Sequence, residues 1–258
     1  MDCGQAFRWV ERSPGEWEGA AFGKFLRLSQ QGEGVLFHCS PKDYEETWRP
    51  YFDLDTDYAA KRAALSQMGP PAGGAAFAPG IRILRQEPWE ALCSFIISQN
   101  NHIPRIKGIL HRLCEAFGQP IGDTGWQAFP TPQRLAACDL QDLAPLRAGF
   151  RAKYLLDAAQ KVASGAVDLE QVASSPVEYG RAELQKIFGV GPKVAECALL
   201  YGFHKTECFP LDVWMKRAMA TLLPGTDPRD FGENAGLAQQ YLFHYSRLHP
   251  QLFQQKAG

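Results

Sequence analysis

Leu184–Gln185–Lys186–Ile187–Phe188–Gly189–Val190–Gly191–Pro192–Lys193–Val194–Ala195–Glu196–Cys197 reads as a short apolar helix, a tight turn and the start of a second helix. The first helix is expected to end at Phe188, with Gly189–Val190–Gly191 forming the turn and the whole hairpin spanning residues 183–201. Pro192 then opens the second helix with its φ already suited to that position. Two glycines around one apolar residue leave backbone N–H groups bare at a helix N-terminus. Such amides hold a phosphate without any cationic side chain. Taken alone, Gly-x-Gly reads first as a plain turn between two helices. Lys193 separates the two readings, because it sits in the first helical turn, where the positive end of the dipole disfavours a cation. A desolvated lysine so placed keeps a larger fraction of free amine, the form that attacks carbon. Cys197 follows one helical turn later on the same face.

Downstream, Phe209–Pro210–Leu211–Asp212–Val213–Trp214–Met215 places Asp212 to cap a helix running to about Leu222. A purely structural cap and a catalytic carboxylate are compatible readings here, since a cap holds the side chain rigidly and points it away from its own helix.

Upstream, the first 40 residues read as an antiparallel meander. Runs at Phe7–Arg12, Glu16–Phe22, Phe25–Ser29 and Val35–Cys39 are separated by Gly- and Pro-containing turns. Pro41–Tyr58 is expected to be helical, and Gly69–Gly80 reads as a Gly-, Pro- and Ala-rich linker. Helical spacing then takes over. Trp89, Leu92 and Ile96 follow Pro88 and stop at Gln99–Asn100–Asn101. Pro104 opens a helix with Ile106, Ile109, Leu110, Leu113 and Phe117 on one face. Further helices are expected at Arg151–Ala163 and Leu237–Leu248. The fold class is therefore α+β, with an N-terminal antiparallel sheet domain and linker over 1–80 and a helical domain over 81–258.

A chain of 258 residues, 45% apolar and 21% charged, is long enough for a sizeable core. No run reaches the ~20 apolar residues of a membrane span, and the first residues lack a secretory leader pattern, so an intracellular protein, in cytoplasm or nucleoid, is expected. Its seven cysteines are scattered without a CxxC pair, which argues against a zinc finger or an iron–sulfur cluster. A net charge of −1 means that any nucleic-acid binding must rest on local geometry rather than on bulk positive charge.

The stretch from Leu184 to Met215 resembles the hairpin, lysine and acidic-loop signature of the helix-hairpin-helix DNA glycosylases, and within them the 8-oxoguanine DNA glycosylases of bacterial type. The resemblance extends over almost the whole chain. Gly4–Gln5–Ala6–Phe7–Arg8–Trp9 is similar to that family's glycine motif, and Ile81–Pro88 with Ser94–Asn101 to its gap-filling helix and loop. It implies a bifunctional glycosylase and abasic-site lyase, acting as a monomer on duplex DNA that carries oxidised guanine opposite cytosine. Lys193 would attack C1′ and form a Schiff base, while Asp212 would stabilise the developing positive charge. Gly4 would offer its carbonyl to N7–H of the lesion; Gln239 would read its Watson–Crick edge and Phe243 would stack on it. Cys197 would pack on the opposite face, as a thiolate paired with the Lys193 ammonium. Asn100 would fill the vacated stack, Phe150 would wedge beside it, and Arg105 would contact the widowed cytosine. Gly189, Val190 and Gly191 would hold the DNA backbone. No cofactor is required, but the carbonyls of Gln185, Ile187 and Val190 would hold a monovalent or calcium-type ion. Trp214 stands where animal members carry histidine, and Phe150 where tyrosine is more usual.

From pattern alone, Gln239 and Phe243 also read as a surface glutamine and a core phenylalanine four residues apart. Arg105, with Lys107 and Arg112, also reads as part of a solvated helix face. Two other functions remain open at this level: a glycosylase for a different damaged base, and a non-catalytic hairpin module that only docks on DNA. Lys193 argues against the alkylpurine enzymes that use the acid alone. A docking module would need neither Lys193, nor Asp212, nor a preceding sheet.

Overall fold

The computed structural model describes residues 3–69 and 78–253; most of the expected linker, residues 70–77, lies outside them. Four strands, β1 (Trp9–Ser13), β2 (Glu16–Ala21), β3 (Lys24–Gln31) and β4 (Gly34–His38), form one antiparallel sheet in the order of the chain. This is the expected meander. Its inner face buries Trp9, Leu26 and Leu28 against Trp48, Tyr51 and Phe52. The Trp9 indole N–H donates to the Tyr51 hydroxyl at 2.8 Å, while the buried Trp48 indole N–H beside them has no partner.

The single helix expected over Pro41–Tyr58 is broken into pieces. A turn at Pro41–Asp43 passes into a π-helical turn, Tyr44–Trp48, and then a last turn, Arg49–Tyr51. Asp53 next adopts a left-handed φ of 50°, and Asp57 caps a new helix, α1 (Tyr58–Ser66), by accepting from the N–H groups of Ala59 and Ala60. The break lets the buried Asp53 carboxylate accept from Tyr58 Oη and Arg85 Nε, both at 2.8 Å.

The remaining helices enclose one long core. They are α2 (Pro88–Ser98), α3 (Ile103–Phe117), α4 (Pro132–Ala136), α5 (Arg151–Ala163), α6 (Leu169–Ser174), α7 (Val177–Leu184), α8 (Pro192–Gly202), α9 (Val213–Leu222) and α10 (Ala235–Leu248). Helix α2 is the axis: Trp89 through Ile97 are all buried. Helix α8 packs along it, close enough that a Cβ at Gly202 would lie 2.9 Å from Ala91 Cβ. Helix α7 ends at Leu184 rather than at Phe188, because Lys186 and Ile187 donate back three residues, to Glu183 and Leu184, and tighten the chain into turns.

The segment before β1 is stitched to the start of α2. Gln5 Nε2 donates to the Arg82 carbonyl at 2.8 Å, its Oε1 accepts from Leu84 N–H at 2.9 Å, and Gln86 Nε2 donates to the Gln5 carbonyl at 2.6 Å. Arg8 completes the seam with a buried ion pair to Glu90 on α2, 3.0 Å long, and a further bond to the Gln127 carbonyl. Breaking a buried pair strands the remaining charge, which costs roughly 3–5 kcal/mol. Glu90→Gln should therefore lower the free energy of unfolding by about 3 kcal/mol, measured by urea titration. A change of under about 1 kcal/mol, the range of a surface pair, would show that the seam does not depend on the pair.

Candidate active site

Three segments distant in sequence meet around one cleft of about 620 Å3. The α2–α3 loop contributes Asn100, the first turn of α8 contributes Lys193, and Asp212 borders it at the start of α9. Gly4 and Phe243 close another side. Asp212 is the N-cap of α9, its Oδ1 accepting from Met215 N–H at 2.7 Å. That bond fixes the carboxylate at the cleft wall, as the capping geometry required. Lys193 is the second residue of α8, after the N-cap Gly191 and Pro192. Its Nζ lies 5.9 Å from the centre of the Phe95 ring, a face that attracts a cation.

The hairpin glycines do different jobs. Gly189 has φ 82°, and a Cβ there would fall 2.5 Å from Tyr154 ring carbons, so two independent constraints exclude a side chain. Gly191 is extended, and a Cβ there would meet nothing within 4 Å. What the missing side chain preserves at Gly191 is clearance over the helix N-terminus, the space a phosphate oxygen would need to reach the N–H groups. Val190 is buried between them. The hairpin is held from α5: Phe188 N–H donates to Asp157 at 2.6 Å, and Lys161 Nζ donates to the Lys186 carbonyl at 2.7 Å.

Gly4 is doubly constrained as well. Its φ is 83°, and a Cβ would stand 2.9 Å from Phe243 Cε1. The neighbouring Cys3 carbonyl accepts from Gln240 Nε2 at 2.7 Å, which ties the N-terminal segment to α10. Gln239 is buried beneath the cleft rather than on its wall. Its Oε1 lies 3.2 Å from the Tyr201 hydroxyl, and its Nε2 reaches the Pro210 carbonyl at 3.5 Å. The same hydroxyl stands 2.8 Å from Gln240 Oε1. One proton serves one acceptor well, so Gln240 takes it and Gln239 keeps acceptor capacity.

Cys197 is buried beside Lys193. Burial pushes its thiol up to about 11, against the pull of the Lys193 charge, a direction that favours the neutral thiol over the thiolate of an ammonium–thiolate pair.

Arg105 and Phe150 stand outside the cleft wall but converge on its loop. Arg105 Nη2 reaches the Arg147 carbonyl at 3.4 Å, beside Phe150, whose ring is 47% exposed. Between them lies a residue that the sequence reading passed over as an ordinary helix start. Arg151 is 2% exposed, and its guanidinium donates to the carbonyls of Gln99, Asn100 and Ala148, the Asn100 bond being 2.7 Å. It braces the loop in which Asn100 holds a left-handed φ of 46°. Burial, with the nearby Arg105 charge, lowers its pKa. The signal that could have found it is the one that found Lys193: a cation at the positive end of a helix dipole.

Residues 1–92 match the family described as "8-oxoguanine DNA glycosylase, N-terminal domain", and residues 93–230 that described as "HhH-GPD superfamily base excision DNA repair protein". The chain belongs to the helix-hairpin-helix base excision repair superfamily. Within it, the chain is 38% identical over 254 residues to a Saccharomyces cerevisiae N-glycosylase/DNA lyase, a match covering 84% of this chain and 65% of the yeast protein. The match thus spans a little under two thirds of that relative's length. It is 29% identical to an Arabidopsis thaliana N-glycosylase/DNA lyase, over 93% of this chain and 74% of that one. The solved Clostridium acetobutylicum 8-oxoguanine glycosylase/lyase, in complex with double-stranded DNA containing cytosine opposite 8-oxoguanine, superposes with a TM-score of 0.89 at 38% identity, covering 97% of this chain and 91% of that one. A 3-methyladenine glycosylase of Archaeoglobus fulgidus, 18% identical with a TM-score of 0.71, shares the fold. The four-stranded sheet falls within the first of the two family matches, and the hairpin with Lys193 and Asp212 within the second.

Replacing Gly4 tests whether this corner is a working surface. Gly4→Ala adds roughly 1–2 kcal/mol of left-handed strain and drives the Phe243 ring out of place. For the excision proposed below, the expected result is a clear fall in rate, with a loss of about a few degrees in thermal melting. An unchanged rate would remove Gly4 and Phe243 from the recognition surface.

Proposed function

We propose that this chain is a DNA glycosylase and abasic-site lyase that excises 8-oxoguanine from duplex DNA, preferentially opposite cytosine. The observation that carries this reading is the cleft itself. It sets an amine at one helix start and a carboxylate at another, with a glycine and an aromatic ring on a third side. A base must leave the helix to enter such a cleft, at a cost of a few kcal/mol, and Asn100 with Phe150 stands ready to occupy the gap.

The chemistry follows from the two groups. As the C1′–N9 bond breaks, its electron pair leaves with the base, which takes up a proton. Positive charge spreads over C1′ and the ring oxygen, and the Asp212 carboxylate stabilises it. The Lys193 amine forms the new bond to C1′, gives up a proton, and becomes an imine as the sugar ring opens. Loss of a C2′ proton then expels the 3′ phosphate and cleaves the strand. Discrimination against guanine rests on the Gly4 carbonyl: it meets an N7–H in the lesion but only a lone pair in guanine, an unpaired buried contact costing roughly 1–3 kcal/mol. Cys197, as a neutral thiol, serves as a packing wall for the base. No side-chain cofactor enters these steps.

Gly189, Val190 and Gly191 hold the DNA backbone through amides. The carbonyls of Gln185, Ile187 and Val190 are proposed to hold a monovalent or calcium-type cation that helps bridge the phosphate. The chain is proposed to act as a monomer. Among the described residues no helix is long and apolar enough to cross a membrane, and a DNA substrate supports an intracellular place of work, in cytoplasm or nucleoid.

Borohydride reduces the imine, so wild-type protein should be trapped covalently on damaged duplex and Lys193→Gln should not. An undiminished adduct in that variant would refute the lysine mechanism. Asp212→Asn keeps the cap but removes the charge. The expected loss is about 10²-fold in excision rate with DNA affinity retained.

Arg105 generates the prediction on the opposite base. Cytosine offers N3 and O2, two acceptors that a planar guanidinium meets with two donors, whereas adenine opposes it with an amino group. Excision rates opposite C, T, G and A should show a cytosine preference of about one to two decades, the worth of one bidentate contact. Arg105→Met should flatten it. A preference that survives the substitution would return Arg105 to an ordinary solvated face.

A further inference from the structure

Lys193 borders a second cavity, of about 320 Å3, on the side away from the catalytic cleft; Arg181, Glu196, Phe209 and Leu211 share its wall. Phe209 and Leu211 belong to the loop that delivers Asp212. The Phe209 ring is buried and stacks on Phe231, which anchors the side chain of the loop. Its backbone is held by a carboxylate. Glu196 lies on α8 one turn beyond Lys193, and its Oε2 accepts from Phe209 N–H at 3.1 Å. Its Oε1 accepts from Arg181 Nε, on α7, at 2.7 Å. The Glu196 side chain is 14% exposed and so largely withdrawn from water, while that of Arg181 is 34% exposed. Burial alone would lower the Arg181 pKa, but the hydrogen bond and charge of Glu196 outweigh it and raise it.

We propose that Glu196, clamped by Arg181, is a positioning residue that sets where the Asp212 carboxylate stands relative to the Lys193 amine. The inference rests on the excision chemistry proposed above. The amine is carried by α8 and the carboxylate by a separate loop, yet both must address one sugar. Misplacement by about 1 Å in such an arrangement costs on the order of 10²-fold in rate. Glu196 reaches the backbone of the loop, three residues before Asp212, so it directs the path of the chain and not merely a side chain. Because the same helix carries Glu196 and Lys193, a shift of α8 moves both ends of the reacting pair together.

The test is a double-mutant cycle on single-turnover excision of 8-oxoguanine opposite cytosine, with enzyme in excess. Glu196→Ala and Glu196→Gln are made in the wild-type and Asp212→Asn backgrounds, and DNA affinity and unfolding are measured for each. Glu196→Ala should lower the wild-type rate by about tenfold or more while DNA affinity is kept. Glu196→Gln retains an oxygen for Phe209 N–H and should recover much of the loss. In the Asp212→Asn background no charge remains to be positioned, so Glu196→Ala should lower the rate by less than about threefold. Equal losses in the two backgrounds, or a full wild-type rate for Glu196→Ala, would overturn the proposal. Should Glu196→Ala fail to fold, Arg181→Gln, which releases the other end of the clamp, carries the same cycle with the same expected outcomes. A wild-type protein that excises nothing would refute the excision reading instead, and the wild-type arm reports that separately.

Discussion

Helix α8 begins with a cation where its own dipole opposes one, and the rest of the site is arranged around that conflict. A lysine in the first turn is disfavoured by about 0.3–1 kcal/mol at an exposed helix, and partial burial raises the penalty. The compensations are local: the face of Phe95, the Asp212 carboxylate on the next helix, and the thiol of Cys197 one turn along. Each is an interaction that a free amine would not need. The same dipole that disfavours Lys193 would favour a phosphate at the adjoining amides, so under the proposed function one helix start serves both the DNA backbone and the sugar. Arg151 repeats the pattern on α5, where three carbonyls of the Asn100 and Ala148 loops accept the guanidinium's hydrogen bonds in place of any carboxylate.

The sheet domain contributes to this site through its entry segment rather than through its strands. Gln5 bonds to the 82–86 segment by both ends of its amide and by its carbonyl, and Arg8 is paired within the core. These bonds leave Gly4 little freedom to move relative to α2, the helix that also carries Phe95 and leads into Asn100. A residue early in the sequence thereby becomes as well placed as one on a helix. Gln240 adds a tie from α10, so the corner is fixed from two sides.

The legible parts of the fold were those in which local chemistry and tertiary packing agree. The meander, the α2–α3 break at Gln99–Asn101 and the Asp212 cap all follow from turn, capping and period rules, and all are present. The hairpin was legible as glycine, proline and lysine in register, although α7 ends four residues early because its last carbonyls are met by three-residue returns. The helix expected over Pro41–Tyr58 failed where a tertiary demand won: Asp53 must turn inward to meet Tyr58 and Arg85, which no helical continuation allows. The polar braces were invisible for a related reason. Arg151, Gln240 and Glu196 each act through backbone groups of segments far away in sequence, and a backbone acceptor leaves no side-chain signature at the other end.

A net charge of −1 bears on how such a protein grips a polyanion. Each lysine or arginine set on a phosphate releases counterions and makes affinity fall with salt. An amide at a helix N-terminus carries only a fraction of a charge but a fixed direction. In this fold the directional groups are the hairpin N–H groups, kept clear by Gly191. Of the full charges around the cleft, Lys193 borders it, Arg151 is spent on loop carbonyls and Arg105 reaches the Arg147 carbonyl. Under the proposed function, attraction to phosphate would thus stay modest while geometry at a flipped nucleotide stays strict. That division would suit a protein that passes over undamaged phosphates, which far outnumber damaged bases, without being held by them.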